Sequence, residues 1–178
     1  MAPITRAGLG WVLVLFDLRF GGYDVVVDAA GWLLVLLACD AMQQRSVWFR
    51  WAARCAGLAL VLSLLEYLPS LPGELLLVVG YNLAFAATLF CQASGMAVCA
   101  RAGGAASIAT QANVLRWTVL GLNVAATIGM VVYYAGSDPA ATLVAAFVFF
   151  SLVCFVWFTA LQLLMGERPA FDPAPSPV

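Results

Sequence analysis

Phe16-Asp17-Leu18-Arg19-Phe20-Gly21-Gly22-Tyr23-Asp24-Val25-Val26-Val27-Asp28-Ala29-Ala30-Gly31 places three carboxyls and one guanidinium inside sequence that otherwise reads as lipid-soluble. A third of the chain's nine acidic residues lie in this one stretch, around a Gly21-Gly22 turn. A charge at the centre of a membrane helix costs roughly 2.5–3.5 kcal/mol on insertion scales, so such residues face a cavity or a partner and carry function. The stretch therefore joins two membrane spans and marks the place where a site is expected.

The composition around it supports that setting. Of 178 residues, 65% are apolar and only 10% charged, with a mean hydropathy of +1.01, whereas a soluble domain carries about 25% charge. This is the composition of an integral membrane protein. The net charge is −1 and lysine is absent, so no basic patch exists to neutralise a phosphate backbone, and nucleic acid is excluded as a partner. The five cysteines (Cys39, Cys55, Cys91, Cys99, Cys154) form no Cys-x-x-Cys pair, and histidine is absent. Neither a metal centre nor a cofactor is expected. Asp17 and Arg19 stand where a signal peptide would need a small-residue cleavage site, so the N-terminal run reads as a retained first span.

Uncharged apolar runs predict an all-α, polytopic helical bundle with six spans at about 4–20, 24–42, 50–68, 75–100, 115–135 and 140–165. Five spans remain the alternative, with residues 7–16 as an interfacial or re-entrant segment. Residues 1–168 form one transmembrane domain. The tail from Pro169 has four prolines in ten residues, cannot continue a helix, and reads as a disordered cytoplasmic end.

Arginine placement gives the orientation, because Lys and Arg concentrate in cytoplasmic loops. Arg6, Arg45, Arg50, Arg54, Arg101, Arg116 and Arg168 fall at the termini or in the 43–54 and 101–116 connections. Asp17, Asp24, Asp28, Glu66, Glu74 and Asp138 fall toward the other side. Both termini are then cytoplasmic, and the chain is a multi-pass protein of the cell inner (cytoplasmic) membrane. No internal repeat supports a duplicated transporter architecture.

Helical rise sets the depth of the acids. Asp17 lies 11 residues from Arg6, Asp28 12 from Asp40, and Glu66 12 from Arg54, which puts all three roughly 16–18 Å above their cytoplasmic anchors. Three consecutive spans thus bring a carboxyl to one depth in the outer half of the membrane. Asp24, Asp28 and Gly31 share one face of the second span, where Gly31 allows a close helix approach. Arg19 is one base among four acids, so at least one carboxyl is expected to be protonated by burial and like charge. The bland alternative is that these charges mark the outer interface and cap helices.

Polar residues deeper in the spans, Gln92, Ser94, Asn123, Thr127 and Gln162, read as interhelical hydrogen-bonding groups. Asn82 lies closer to the acidic layer. Trp48, Trp51, Trp117, Tyr133 and Tyr134 read as an interfacial belt. Phe85, Phe149 and Trp157, with Asn82, are the side chains expected beside the acids, where rings suit a ligand of cationic character.

The pattern Phe16-Asp17-x-Arg19-x-Gly21-Gly22-x-Asp24-x-x-x-Asp28-x-x-Gly31-x-x-Leu34 resembles the opening of many small bacterial membrane proteins of unassigned function. Those often carry Pro before the last Asp, where this chain has Val27. In overall character, small, acid-bearing and free of metal motifs, the chain is similar to bacterial membrane-bound cyclases of indole sesquiterpenoids and to fungal meroterpenoid cyclases.

That similarity implies a metal-independent, protonation-initiated terpene cyclase acting on a prenylated or epoxyprenylated, lipid-soluble small molecule. Asp28 or Asp24 would be the acid, Glu66 and Asp17 its partners, and Arg19 the charge that fixes which acid is ionised. The alternative is a proton- or cation-binding small transporter, immunity or accessory subunit, working as a homo-oligomer or with a membrane partner subunit.

Overall fold

The computed structural model describes residues 1–15, 24–65, 74–134 and 141–166. Six helices follow in order: α1 Pro3–Leu15, α2 Asp24–Ala41, α3 Val47–Leu65, α4 Glu74–Ala102, α5 Ala106–Tyr134 and α6 Ala141–Met165. All regular structure among the described residues is helical. Among the described residues, two segments, Val47–Leu65 and Leu76–Ala102, are long and apolar enough to cross a membrane.

Most helix bounds lie within a few residues of the apolar runs, with one correction. The fifth span was expected from 115, with 101–116 as a connection, but α5 begins at Ala106. Residues 106–114 include Ser107, Thr110, Gln111 and Asn113, polar enough to leave lipid yet without a proline to break a helix. Ala109, Ala112, Leu115 and Val119 bury one stripe of this helix, at the spacing of an amphipathic face.

The short connections have local causes. Gly104 adopts φ +74°, a left-handed conformation that costs glycine little. Around it Gly104 N–H donates to the Arg101 carbonyl at 3.1 Å and Ala105 N–H to the Ala100 carbonyl at 2.8 Å. This pair of bonds is a Schellman motif, which ends α4 and turns the chain into α5. At the start of α3, the Ser46 hydroxyl accepts from Trp48 N–H at 3.3 Å, satisfying one of the amide donors a helix start leaves open.

Each helix packs on the next along the chain, and α6 returns to α1. The tightest crossing joins α1 to α2, where a Cβ on Gly10 would lie 2.7 Å from the Gly31 carbonyl and a Cβ on Gly31 would lie 2.7 Å from the Gly10 carbonyl. Only paired glycines allow backbones this close. The expected close approach at Gly31 is thus present, with Gly10 as the other half. At α3 and α4, a Cβ on Gly95 would meet the Phe49 ring at 2.8 Å, so Phe49 lies flat across the α4 backbone.

Among the described side chains, α4 contributes more buried residues than any other helix. Ala84, Ala86, Thr88, Leu89, Gln92, Ala93, Ser94, Met96, Ala97, Cys99 and Ala100 are all enclosed. Its side chains touch α1 and α6 through Gln92, α2 through Tyr81, α3 through Gly95 and α5 through Ser94.

Candidate functional site

Two stripes meet along the bundle axis. On α2, Asp28, Trp32, Val35 and Cys39 recur every three or four residues, and on α4 Tyr81, Phe85, Gln92 and Met96 follow at steps of four, seven and four, one or two helical turns each. Such spacing puts each set on one helix face. Trp32 and Cys39 face α4 by contact: the Trp32 indole N–H donates to the Tyr81 hydroxyl at 3.2 Å, and the Gln92 amide approaches Cys39 Sγ at 3.4 Å.

Trp11 of α1 is wedged between them with no exposed surface. Its ring stands edge-on to Trp32 at 5.2 Å, Phe85 at 5.4 Å, Phe155 at 5.5 Å and Phe158 at 6.2 Å between centroids. These edge-to-face pairs lie in the favourable range for aromatic contacts. The Trp11 N–H donates to Gln92 Oε1 at 2.6 Å, and Gln162 of α6 donates to that same oxygen at 3.1 Å. One buried amide oxygen therefore ties α1, α4 and α6 together beneath a box of rings.

Asp28 stands one helical turn from Trp32 on the α2 face turned toward this box. The residue is half-buried, and its Oδ1 is closed off from solvent. Phe85 is a wall of the box. These two expected site residues lie on the facing stripes of α2 and α4, the carboxyl one turn beyond the rings.

The other expected residues fall differently. Asn82 is half-buried, and its amide donates to the Val78 carbonyl of its own helix at 2.9 Å. Trp157 is 40% exposed on the outer side of α6, where its N–H reaches Gln111 Oε1 of α5 at 3.4 Å. It stands apart from the ring box, because the α6 face that meets Trp11 carries Phe155 and Phe158 instead. Asp24 begins α2 and Phe149 lies in α6, but both side chains are outside the described residues, as are Asp17, Arg19 and Glu66.

Of the groups expected to bond between helices, Gln92, Gln162 and Ser94 do so. Asn123 and Thr127 instead donate within α5, to the Val119 and Asn123 carbonyls at 2.9 Å each. A side chain of this kind can satisfy itself on the preceding turn, which periodicity does not distinguish from a cross-helix bond.

Trp11, Trp32 and Tyr81 were missed as a group. The signal for two of them was present: Trp11 and Trp32 lie inside apolar runs, away from the tryptophans of the interfacial belt. A buried indole needs an acceptor for its N–H, and only a few polar side chains in the spans supply one.

Chemically, the arrangement offers a carboxyl with one shielded oxygen, one helical turn along α2 from a cluster of aromatic rings. It can hold a proton, or stabilise positive charge. The chain matches no protein-family model, no curated protein and no solved structure.

Proposed function

We propose that this chain is a six-span protein of the cytoplasmic membrane, both termini on the cytoplasmic side, that works through the Asp28 carboxyl in the outer half of the bilayer. Its chemistry is acid-initiated terpenoid cyclisation of a prenylated or epoxyprenylated, lipid-soluble substrate. One observation carries this reading: the Asp28 carboxyl, its Oδ1 shielded from solvent, lies one helical turn beyond Trp32, which is itself packed among Tyr81, Phe85 and Trp11.

The protonated Asp28 carboxyl gives its proton to an epoxide oxygen or an alkene carbon. A neighbouring alkene π pair closes the carbon–carbon bond, and a carboxylate removes a proton from the final cation, so the product is an isomer of the substrate. Asp24, Glu66 or Asp17 serves as that carboxylate. Ring faces stabilise the intermediate charge, and an apolar wall keeps water from quenching it.

A second reading is favoured by the packing of the box. Neighbouring rings lie 5.2–6.4 Å apart between centroids, which leaves no space for a terpenoid between them. In that reading Asp28 binds a proton or small cation, and the chain is a transport, immunity or accessory subunit.

Membranes containing the wild-type protein, Asp28→Asn or Asp28→Glu are incubated with prenylated and epoxyprenylated indoles and searched by mass spectrometry for an isomeric product. The cyclase reading expects an isomer from the wild type, none from Asp28→Asn, and partial activity from Asp28→Glu, all at equal expression. An isomer that persists in Asp28→Asn removes Asp28 from the reaction. No isomer from any substrate favours the second reading.

A further inference from the structure

A second feature lies on the opposite side of α4 from Trp11. An open groove of about 520 Å³ runs between α4 and α5, lined by Leu83, Ala87 and Phe90 on one wall and Leu120, Val124 and Ile128 on the other. Leu83 to Cys91 of α4 and Leu120 to Ile128 of α5 span its length, eight residues on each wall, or roughly 12 Å. Its walls are almost wholly apolar, since Asn123 and Thr127 spend their donors on the α5 backbone.

A cation stands just past the end of the groove nearest the α4–α5 turn, against the ring of Phe90. Arg116 precedes Leu120 by one turn on the same face of α5, and Ser94 follows Phe90 by one turn on α4. The guanidinium sits 5.7 Å from the Phe90 ring centroid and 5.4 Å from that of Trp117, and its Nη1 donates to Ser94 Oγ at 3.4 Å.

Ser94 Oγ donates in turn to the Phe90 carbonyl at 2.8 Å. The Arg116 Nε is buried with no hydrogen-bond acceptor, and no carboxylate among the described residues pairs with the group. Trp48, Phe90 and Trp117 form a row of ring contacts at this level, 6.1 and 5.3 Å between centroids. Tryptophans at one depth are the mark of a membrane interface.

A cation with an unsatisfied donor, at the interfacial mouth of an apolar groove, is complementary to an anionic headgroup with an acyl chain beneath it. We propose that the α4–α5 groove is a binding site for an anionic phospholipid of the cytoplasmic leaflet. Its phosphate is held by Arg116 and one acyl chain lies along Leu83, Ala87, Val124 and Ile128. Basic pockets between helices on the cytoplasmic side recognise lipid phosphates in this way. The inference rests on the membrane reading above and is independent of Asp28 and of any reaction there.

The test titrates the purified full chain in neutral detergent with phosphatidylglycerol and with phosphatidylcholine of identical acyl chains, read by native mass spectrometry. Phosphatidylglycerol is expected to bind about tenfold more tightly, the scale of one charge-assisted contact. Arg116→Gln should abolish the preference. Arg116→Lys, a point charge without the guanidinium fork, should keep part of it.

Ala87→Phe fills the groove and should weaken both lipids alike, while Arg101→Gln, exposed in the last turn of α4, should change neither. Equal binding of the two lipids, or a preference that survives Arg116→Gln, overturns the proposal. Carbonate extraction separates the two failures: a chain that stays in the membrane but shows no lipid preference refutes this site alone, whereas a chain released by carbonate refutes the membrane reading too.

Discussion

Replacing Gln92 by leucine removes the one oxygen on which three helices converge. The side chain is fully buried, and its Oε1 accepts from Trp11 at 2.6 Å and from Gln162 at 3.1 Å. Leucine fills much of the same space but accepts nothing, so two donors are left unpaired in the core.

In water-referenced measurements each orphaned donor costs about 1–3 kcal/mol. For helices that separate within a bilayer, pairwise values average about 0.6 and reach about 1.7 kcal/mol, because the separated helices also find partners. Two donors then set the expected loss for Gln92→Leu at about 1–3 kcal/mol.

The reasoning makes a sharper demand on the double variant. Adding Gln162→Leu to Gln92→Leu removes one of the orphaned donors, so the pair should be more stable than the sum of the single losses implies. Unfolding in mixed micelles of maltoside and dodecyl sulfate, followed by far-ultraviolet circular dichroism, measures all three variants. A neutral Gln92→Leu, or losses that simply add, would refute the shared oxygen as the tie between α1, α4 and α6.

Three further outcomes are expected. Gly31→Ala should destabilise by about 1–3 kcal/mol, the usual cost of overpacking, less part of the helix-propensity gain of about 1 kcal/mol, because its Cβ meets the Gly10 carbonyl at 2.7 Å. Gly121→Ala, with nothing within 4 Å of its Cβ, should be neutral or stabilising in the same micelle assay, and equal behaviour of the two would remove the close crossing as the cause. Gly95→Ala should also destabilise, and Phe49→Leu in the same chain should recover part of that loss by withdrawing the ring that the new Cβ meets at 2.8 Å. A C-terminal fluorescent-protein fusion should glow while an alkaline phosphatase fusion at the same point stays inactive, and the reverse pattern would overturn the cytoplasmic assignment of the tail.

Much of the helix pattern was legible because a chain this apolar must satisfy its backbone within helices, and runs of adequate length between Gly, Pro and charge locate them. The start of α5 was not legible, since hydropathy reports where lipid lies and not where hydrogen bonding continues. Ala106–Asn113 is polar, yet it remains helical by packing Ala109 and Ala112 into the bundle. Gly31 could be read as a place for close approach, whereas its partner Gly10 carried no such mark, lying in a run whose only distinction was being apolar.

What the sequence by itself determined was the all-helical class, the spacing of helices and the placement of Asp28 within an otherwise apolar helix, all of which follow from composition and a 3.6-residue period. The tertiary structure decided which side chains meet. In helices apolar on every face, hydropathy leaves the rotation of each helix about its own axis unspecified, so periodicity could not show that Trp11 would share an oxygen with Gln162. Nor could it show that Trp157 would turn outward while Phe155 and Phe158 turn in. Packing fixes those rotations: the Gly10–Gly31 crossing leaves room for one arrangement of α1 on α2, and the buried amide of Gln92 is satisfied when the donors of α1 and α6 both face it.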